Sequence, residues 1–280
     1  MKLGIIGLGL IGGSLGLELR SRSHYILGIS RRLETCALAI EKGIADEASV
    51  DFSILSSAEV IFICTPISAI LPTVEQLRPI LSPDTILTDV GSVKAPIVEA
   101  VTPLWSNFIG GHPMAGTAQQ GIEAAHKGLF SGTRYVLTPT ENTPVKAQKT
   151  LTEIARSLDT EVIICSPETH DQAVAWISHL PVFVSSSLIA ACLQETDSDV
   201  ITLAQKLASS GFRDTSRVGG GNPELGLMMA QYNQKALLRS LSVYREQLAE
   251  IMSAIEAEDW EKIAEILAET KKARSDDFGL

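Results

Sequence analysis

The segment Gly7-Leu8-Gly9-Leu10-Ile11-Gly12 constrains this chain more than any other feature. It fits GxGxxG, follows the apolar run KLGII at 2–6, and opens an apolar-periodic helix that reaches about Arg22. The first glycine permits a tight turn, the second leaves room for a pyrophosphate, and the third lets helix and strand pack closely. A helix that starts there offers the free N–H groups of Leu10, Ile11 and Gly12 and a partial positive charge to an anion. The pattern predicts a dinucleotide site built from Gly7, Gly9, Leu10, Ile11 and Gly12. A purely structural glycine turn is the competing reading.

Strand-like and helix-like segments alternate after it. Tyr25–Ile29, Val60–Cys64 and Thr85–Val90 read as strands, with helices expected at Arg32–Lys42 and Pro72–Ile80. Phe108–Gly110, Tyr135–Thr138 and Val162–Cys165 are shorter strand candidates. This spacing indicates parallel βαβ units in a doubly wound sheet. Strand 25–29 ends in Ser30-Arg31-Arg32, 18 to 20 residues after Gly12, where NAD proteins usually carry an acidic residue. A hydroxyl and two guanidinium groups suit a ribose 2′-phosphate, so NADP is expected over NAD. Ser30 capping the next helix, with the arginines in water, is compatible with that reading. Thr65-Pro66 ends the third strand, and Thr65 is expected at the crevice rim near the ribose, with a simple turn as the competing reading.

The pattern changes near residue 166, where Ser166-Pro167-Glu168 reads as a helix start and no strand follows. The expected division is therefore an α/β dinucleotide-binding domain over 1–165 and an all-α domain over 166–280. Asn222-Pro223-Glu224 starts another helix, and apolar spacing continues from Leu225 to Ile255. A single helix of about 35 residues would span roughly 50 Å, too long for so small a domain, so it is expected to pack against a second copy in a homodimer. Lying across the amino-terminal domain of the same chain is the alternative.

Composition narrows the function. The formal charge of −10 makes nucleic acid a poor partner. Residues 241–280 hold ten acidic and five basic side chains, read as a solvated helical tail. The four cysteines are scattered without a CxxC pair, and no HxH or HExxH occurs, so no metal site is expected. The start MKLGIIGLGLIGG does not read as a signal peptide. The apolar stretch Trp176–Leu193 contains His179, Pro181 and three serines, which fits a buried helix of a soluble, cytoplasmic protein better than a membrane span.

Two further segments carry chemistry. Ser92, in Asp89-Val90-Gly91-Ser92-Val93-Lys94, stands after the fourth strand. His112, in Gly110-Gly111-His112-Pro113-Met114-Ala115-Gly116-Thr117, lies between glycines and a proline that holds it extended at a loop rim. An imidazole there can take a hydroxyl proton near neutral pH, although a structural loop histidine reads almost as well. Ser209–Val218 with Gly219-Gly220-Gly221 carries Arg213 and Arg217, either able to clamp a carboxylate. Asp214 offers Arg213 a structural ion pair instead, so Arg217 is the better candidate. His170 and His179, nine residues apart, should face opposite sides of a regular helix.

Together these segments resemble the prephenate/arogenate dehydrogenase family of tyrosine biosynthesis. GLGLIGGS at 7–14, DVGSVK at 89–94, GGHPMAGT at 110–117, SHLP at 178–181 and SGFRDTSRVGGGNPELG at 210–226 carry the resemblance. It is nearest the short, monofunctional, NADP-dependent arogenate dehydrogenases. The resemblance implies a modified Rossmann domain, a helical dimerising domain, and oxidative decarboxylation of a 4-hydroxycyclohexadienyl carboxylate, arogenate or prephenate. It implies that His112 bonds the C4 hydroxyl, Ser92 orients His112 or that hydroxyl, Arg217 binds a carboxylate, and His179 lines the pocket. Arg213 and Thr117 join the substrate set. Where many prephenate-type members carry an acidic residue after HPMAGT, this chain has Ala118. Another NADP oxidoreductase, or a non-catalytic NADP-sensing protein, are the competing functions.

Overall fold

A computed structural model describes residues 1–117 and 119–279; Ala118 lies outside the described residues. An eight-stranded sheet has the order β3-β2-β1-β4-β5-β6-β7-β8. Its strands are β1 (Lys2–Ile6), β2 (Tyr25–Ile29), β3 (Glu47–Ser49), β4 (Val60–Ile63), β5 (Ile86–Asp89), β6 (Phe108–Pro113), β7 (Arg134–Thr138) and β8 (Glu161–Ile164). The first six run parallel. β7 turns back antiparallel to β6, and β8 runs parallel to β7.

The apolar runs of β1 and β4 bury nearly every residue because helices cover both faces. Leu15 and Leu19 of α1 (Leu10–Ser21), with Leu151 and Ile154 of α5 (Val145–Ser157), pack on one face. Ile70 and Val74 of α3 (Ile67–Leu77), with Ile97 and Val101 of α4 (Ala95–Val101), pack on the other. α2 (Leu33–Glu41) connects β2 to β3. The third helix differs from its sequence expectation. It begins at Ile67, behind Pro66 at the N-cap, and carries Pro72 inside it. Pro72 lies past the first turn and forfeits the bond its N–H would have given the Ser68 carbonyl, yet the helix continues to Leu77.

From Pro167 the chain is helical: α6 (Pro167–Val174), a single π turn (Ala175–His179), α7 (Leu180–Cys192), α8 (Ser198–Leu207), α9 (Ser210–Ser216), α10 (Pro223–Tyr232), α11 (Gln234–Glu256) and α12 (Trp260–Asp276). One expectation fails here. The single long helix over 222–256 is broken at Asn233, which leaves helical geometry at φ −121° and is only 6% exposed. Its side chain is drawn instead into hydrogen bonds with α6 and the π turn. Within the stretch Trp176–Leu193, His179 and Ser185 are buried and Trp176, Ile177 and Leu193 are exposed; His170 and Asp171, one to two turns earlier, are buried as well. The helix Pro167–Cys192 is long and apolar enough to cross a membrane by length and composition alone. Its inward side, however, carries the ionisable groups that dock it on the α/β domain.

Candidate active site

The glycines of the first turn take the geometry that a phosphate cradle needs. Gly7 has φ +95°, and a side chain there would meet the Cys64 carbonyl oxygen at 2.6 Å. A Cβ on Gly12 would lie 2.1 Å from the Gly7 oxygen, so only glycine lets α1 rest on the strand end. Beside Gly9 there is open space, and no side chain caps α1, leaving the N–H groups of Leu10 and Ile11 facing the crevice. Thr65 Oγ1, at the adjoining strand end, is buried without a hydrogen-bond partner among the described residues. Pro66 N-caps α3 beside it. Such an orphaned hydroxyl next to an open anion cradle fits a bound dinucleotide. At the end of β2, Ser30 Oγ accepts from Arg32 N–H at 3.4 Å, and Arg31 and Arg32 are exposed. Among the described residues neither guanidinium is paired with a carboxylate.

A second polar centre lies where β5 and β6 end. Asp89 and Lys94 are both 0% exposed and form an ion pair. Lys94 Nζ also donates to the Gly111 carbonyl at 2.7 Å, while Asp89 accepts from Gly91 N–H (2.8 Å) and Gly111 N–H (3.2 Å). This pair ties the loop bearing Ser92 to the strand bearing His112. Desolvation pulls the Lys94 ammonium below its usual range, against the field of Asp89.

His112 sits within β6, opposite Val136, and not in a loop as its glycine-rich context suggested. Its Nδ1 lies 2.8 Å from His170 Nε2, and His170 Nδ1 lies 2.8 Å from Asp171 Oδ1. The Asp171 carboxylate also accepts from Lys94 N–H (2.7 Å) and Ala95 N–H (2.8 Å), joining α6 to the start of α4. Asn233 Nδ2 donates to the Asp171 carbonyl at 2.7 Å and lies 3.1 Å from His179 Nδ1. His179 is fully buried, and its Nε2 finds no partner among the described residues. Burial, followed by the fields of His170, Lys94 and His179, holds His112 well below the usual histidine range. Burial likewise pushes His179 down to about 4, although Asp171 opposes it. Both imidazoles are therefore neutral at pH 7.

The expectation that His170 and His179 face opposite sides is overturned, because both join this cluster. Leu180 N–H bonds the Ala175 carbonyl, five residues back, and this wider turn rotates each residue through a smaller angle than an α-helix does. Pro181, which cannot donate to Ile177, follows at once, and its missing N–H accounts for the altered bonding.

The remaining sequence candidates lie outside the bonded cluster. Ser92 is half-buried, and the ring bond of His112 goes to His170. Thr117 is exposed and accepts from Gln119 N–H at 3.2 Å. Arg213 is exposed and paired with Asp214 at 3.1 Å, as the structural alternative had it. Arg217 is exposed at the end of α9. Gly219 ties that segment to α7, its N–H reaching Ser185 Oγ at 2.8 Å. Sequence reasoning missed Asp89, Lys94, His170, Asp171 and Asn233. Only the pairing of acid and lysine five apart in DVGSVK hinted at any of them.

A phosphate cradle at the carboxyl ends of a parallel sheet, beside neutral buried imidazoles, defines a nucleotide-dependent dehydrogenase with a helical second domain. The chain matches the family model "Prephenate dehydrogenase, nucleotide-binding domain" over residues 15–164 and "Prephenate dehydrogenase, dimerization domain" over residues 166–269. It belongs to the prephenate/arogenate dehydrogenase family. A solved arogenate dehydrogenase from Synechocystis is 55% identical with a TM-score of 0.91, covering 98% of this chain and 99% of that one. A prephenate dehydrogenase from A. aeolicus, solved with hydroxyphenyl propionate and NAD+, is 28% identical with a TM-score of 0.92, covering 98% and 97%. The Prephenate dehydrogenase of Bacillus subtilis is 30% identical over 266 residues, 92% of this chain and 71% of that protein.

Proposed function

We propose that this chain converts L-arogenate to L-tyrosine and CO₂ with NADP, as a cytoplasmic homodimer. The substrate choice is carried by the 55% identity, over nearly the whole of both chains, to the Synechocystis arogenate dehydrogenase. Ser30 with the exposed Arg31 and Arg32 supports NADP, since a 2′-phosphate takes charge-assisted bonds from two guanidiniums. Gly7, Gly9, Leu10, Ile11 and Gly12 hold the pyrophosphate, and Thr65 and Pro66 border the ribose. When bound, the dinucleotide accepts the hydride from C4.

The chain's own groups do the rest. His112 Nε2 takes the C4 hydroxyl proton, assisted by Ser92, and the carboxylate on C1 leaves as CO₂ while the ring becomes aromatic. The phenolate oxygen then recovers the proton. His179, whose buried Nε2 has no partner among the described residues, backs the pocket. Arg217 clamps a substrate carboxylate, with Arg213 and Thr117 at the mouth. The dimer is supported by the description of the second matched model and by Leu193, Leu203, Leu207, Leu227, Leu238 and Met252, exposed apolar side chains of the helical domain.

The second reading is prephenate to 4-hydroxyphenylpyruvate, favoured by the family descriptions and the Bacillus subtilis relative. Following reduced cofactor at 340 nm with arogenate or prephenate, each with NADP or NAD, separates the two. The highest kcat/KM is expected for arogenate with NADP. A preference for prephenate overturns the substrate, and a preference for NAD overturns the reading of Ser30-Arg31-Arg32.

A further inference from the structure

Asp171, His170 and His112 stand in line across the junction of the two domains, with two contacts of 2.8 Å. A carboxylate can only accept, so the proton of the first contact sits on His170 Nδ1. A His170 ring that carries only that proton has a bare Nε2, and the second contact then has His112 donating from Nδ1. His112 Nε2 is left as an acceptor, as removing a hydroxyl proton demands. Asp171 anchors the far end of the line through the N–H groups of Lys94 and Ala95. Burial makes a charged His112 unfavourable, so a proton taken there needs a second place to rest.

We infer that His170 is that place: as His112 Nε2 takes the substrate's hydroxyl proton, the proton on His112 Nδ1 passes to His170 Nε2, and Asp171 holds the resulting imidazolium. The O–H and the His112 Nδ1–H bonds break, and N–H bonds form at His112 Nε2 and His170 Nε2. After CO₂ departs, the phenolate takes the proton from His112 Nε2, and His170 returns its own to His112 Nδ1. No net proton is gained or lost. His170 touches no substrate and is a positioning and proton-holding residue. The groups around it are Asp171 on its own helix, His112 on β6 and His179 on the π turn; Lys94, paired with Asp89, bonds Asp171 through its backbone N–H, and Cys165, just past β8, lies in the field of Asp171. The inference rests on the proposed reaction, and its test has an arm that does not.

Nitrogen-15 imidazole spectra of the free protein at pH 7 should show both His112 and His170 protonated at Nδ1 and bare at Nε2. A His112 protonated at Nε2 overturns the line. His170→Gln keeps an oxygen to accept from His112 Nδ1–H but has no basic nitrogen. It should retain the His112 tautomer and the parental KM, lower kcat roughly 10²-fold or more, and move the acid limb of the kcat profile to lower pH. A kcat within a few-fold of the parent and an unmoved limb overturn the inference. If the variant fails to fold, the parent spectra decide. If the parent turned over neither cyclohexadienyl substrate, the proposed reaction would fail while the spectra still judged the line.

Discussion

Replacing Lys94 with Met removes one half of a fully buried ion pair and keeps most of the side chain's volume. The Asp89 carboxylate would retain only the N–H groups of Gly91 and Gly111, and the Gly111 carbonyl would lose its 2.7 Å donor. Stranding a buried charge in this way costs about 3–5 kcal/mol. An independent route gives a similar figure: a carboxyl of ordinary affinity that escapes by taking up a proton costs about 4 kcal/mol at pH 7. That escape becomes easier as pH falls, to about 1.5 kcal/mol at pH 5, so the deficit of Lys94→Met should shrink in acid. The double variant Asp89→Asn/Lys94→Met has no stranded charge and should recover much of the loss. Urea denaturation followed by tryptophan fluorescence measures this, because Trp105 is buried in the same domain with its indole bonded to the Thr85 carbonyl at 2.8 Å. A single variant within about 1 kcal/mol of the parent at pH 7 would refute the reasoning, as would a deficit that grows in acid.

Arg217→Ala should raise KM by roughly 10–100-fold with a smaller change in kcat, the scale of a lost charge-assisted clamp; an unchanged KM in steady-state kinetics removes Arg217 from the site. His179 gives the fold an acid-sensitive window. Its folded pKa, near 4, lies below the ordinary 6.5, so the unfolded chain binds more protons between those values. Its contribution is therefore complete above pH 6.5 and is lost as pH falls toward 4, about 2 kcal/mol of it between pH 7 and 5. His112, also lowered, acts in the same direction. Urea midpoints at the two pH values should fall further for the parent than for His179→Gln, and equal losses contradict the assignment.

The legible parts of this chain were those written locally. GxGxxG behind an apolar strand specified the turn, the strand and the helix together, and Lys2–Ile6 and Tyr25–Ile29 fall where their composition places them. His112 stood out because its neighbours are glycine and proline. The bonds that organise His112 are not local: Lys94 to Asp171, His112 to His170 and Asp171 to Asn233 join residues 77, 58 and 62 apart. No window of sequence records such pairings. Asn233 breaks a helix whose apolar spacing continues on both sides, because its side chain is worth more to the site than its backbone is to the helix. The π turn was concealed for a related reason. Counting at 100° per residue assumes the α-helical bonding that Pro181 disturbs.

The central claim is that the imidazole of His112 removes the hydroxyl proton, and His112→Asn tests it most directly. The variant should bind NADP with the parent's affinity by calorimetry, since the cradle at Gly7–Gly12 is untouched, while kcat falls roughly 10²–10⁴-fold. A kcat within a few-fold of the parent, at equal cofactor affinity, would contradict the account.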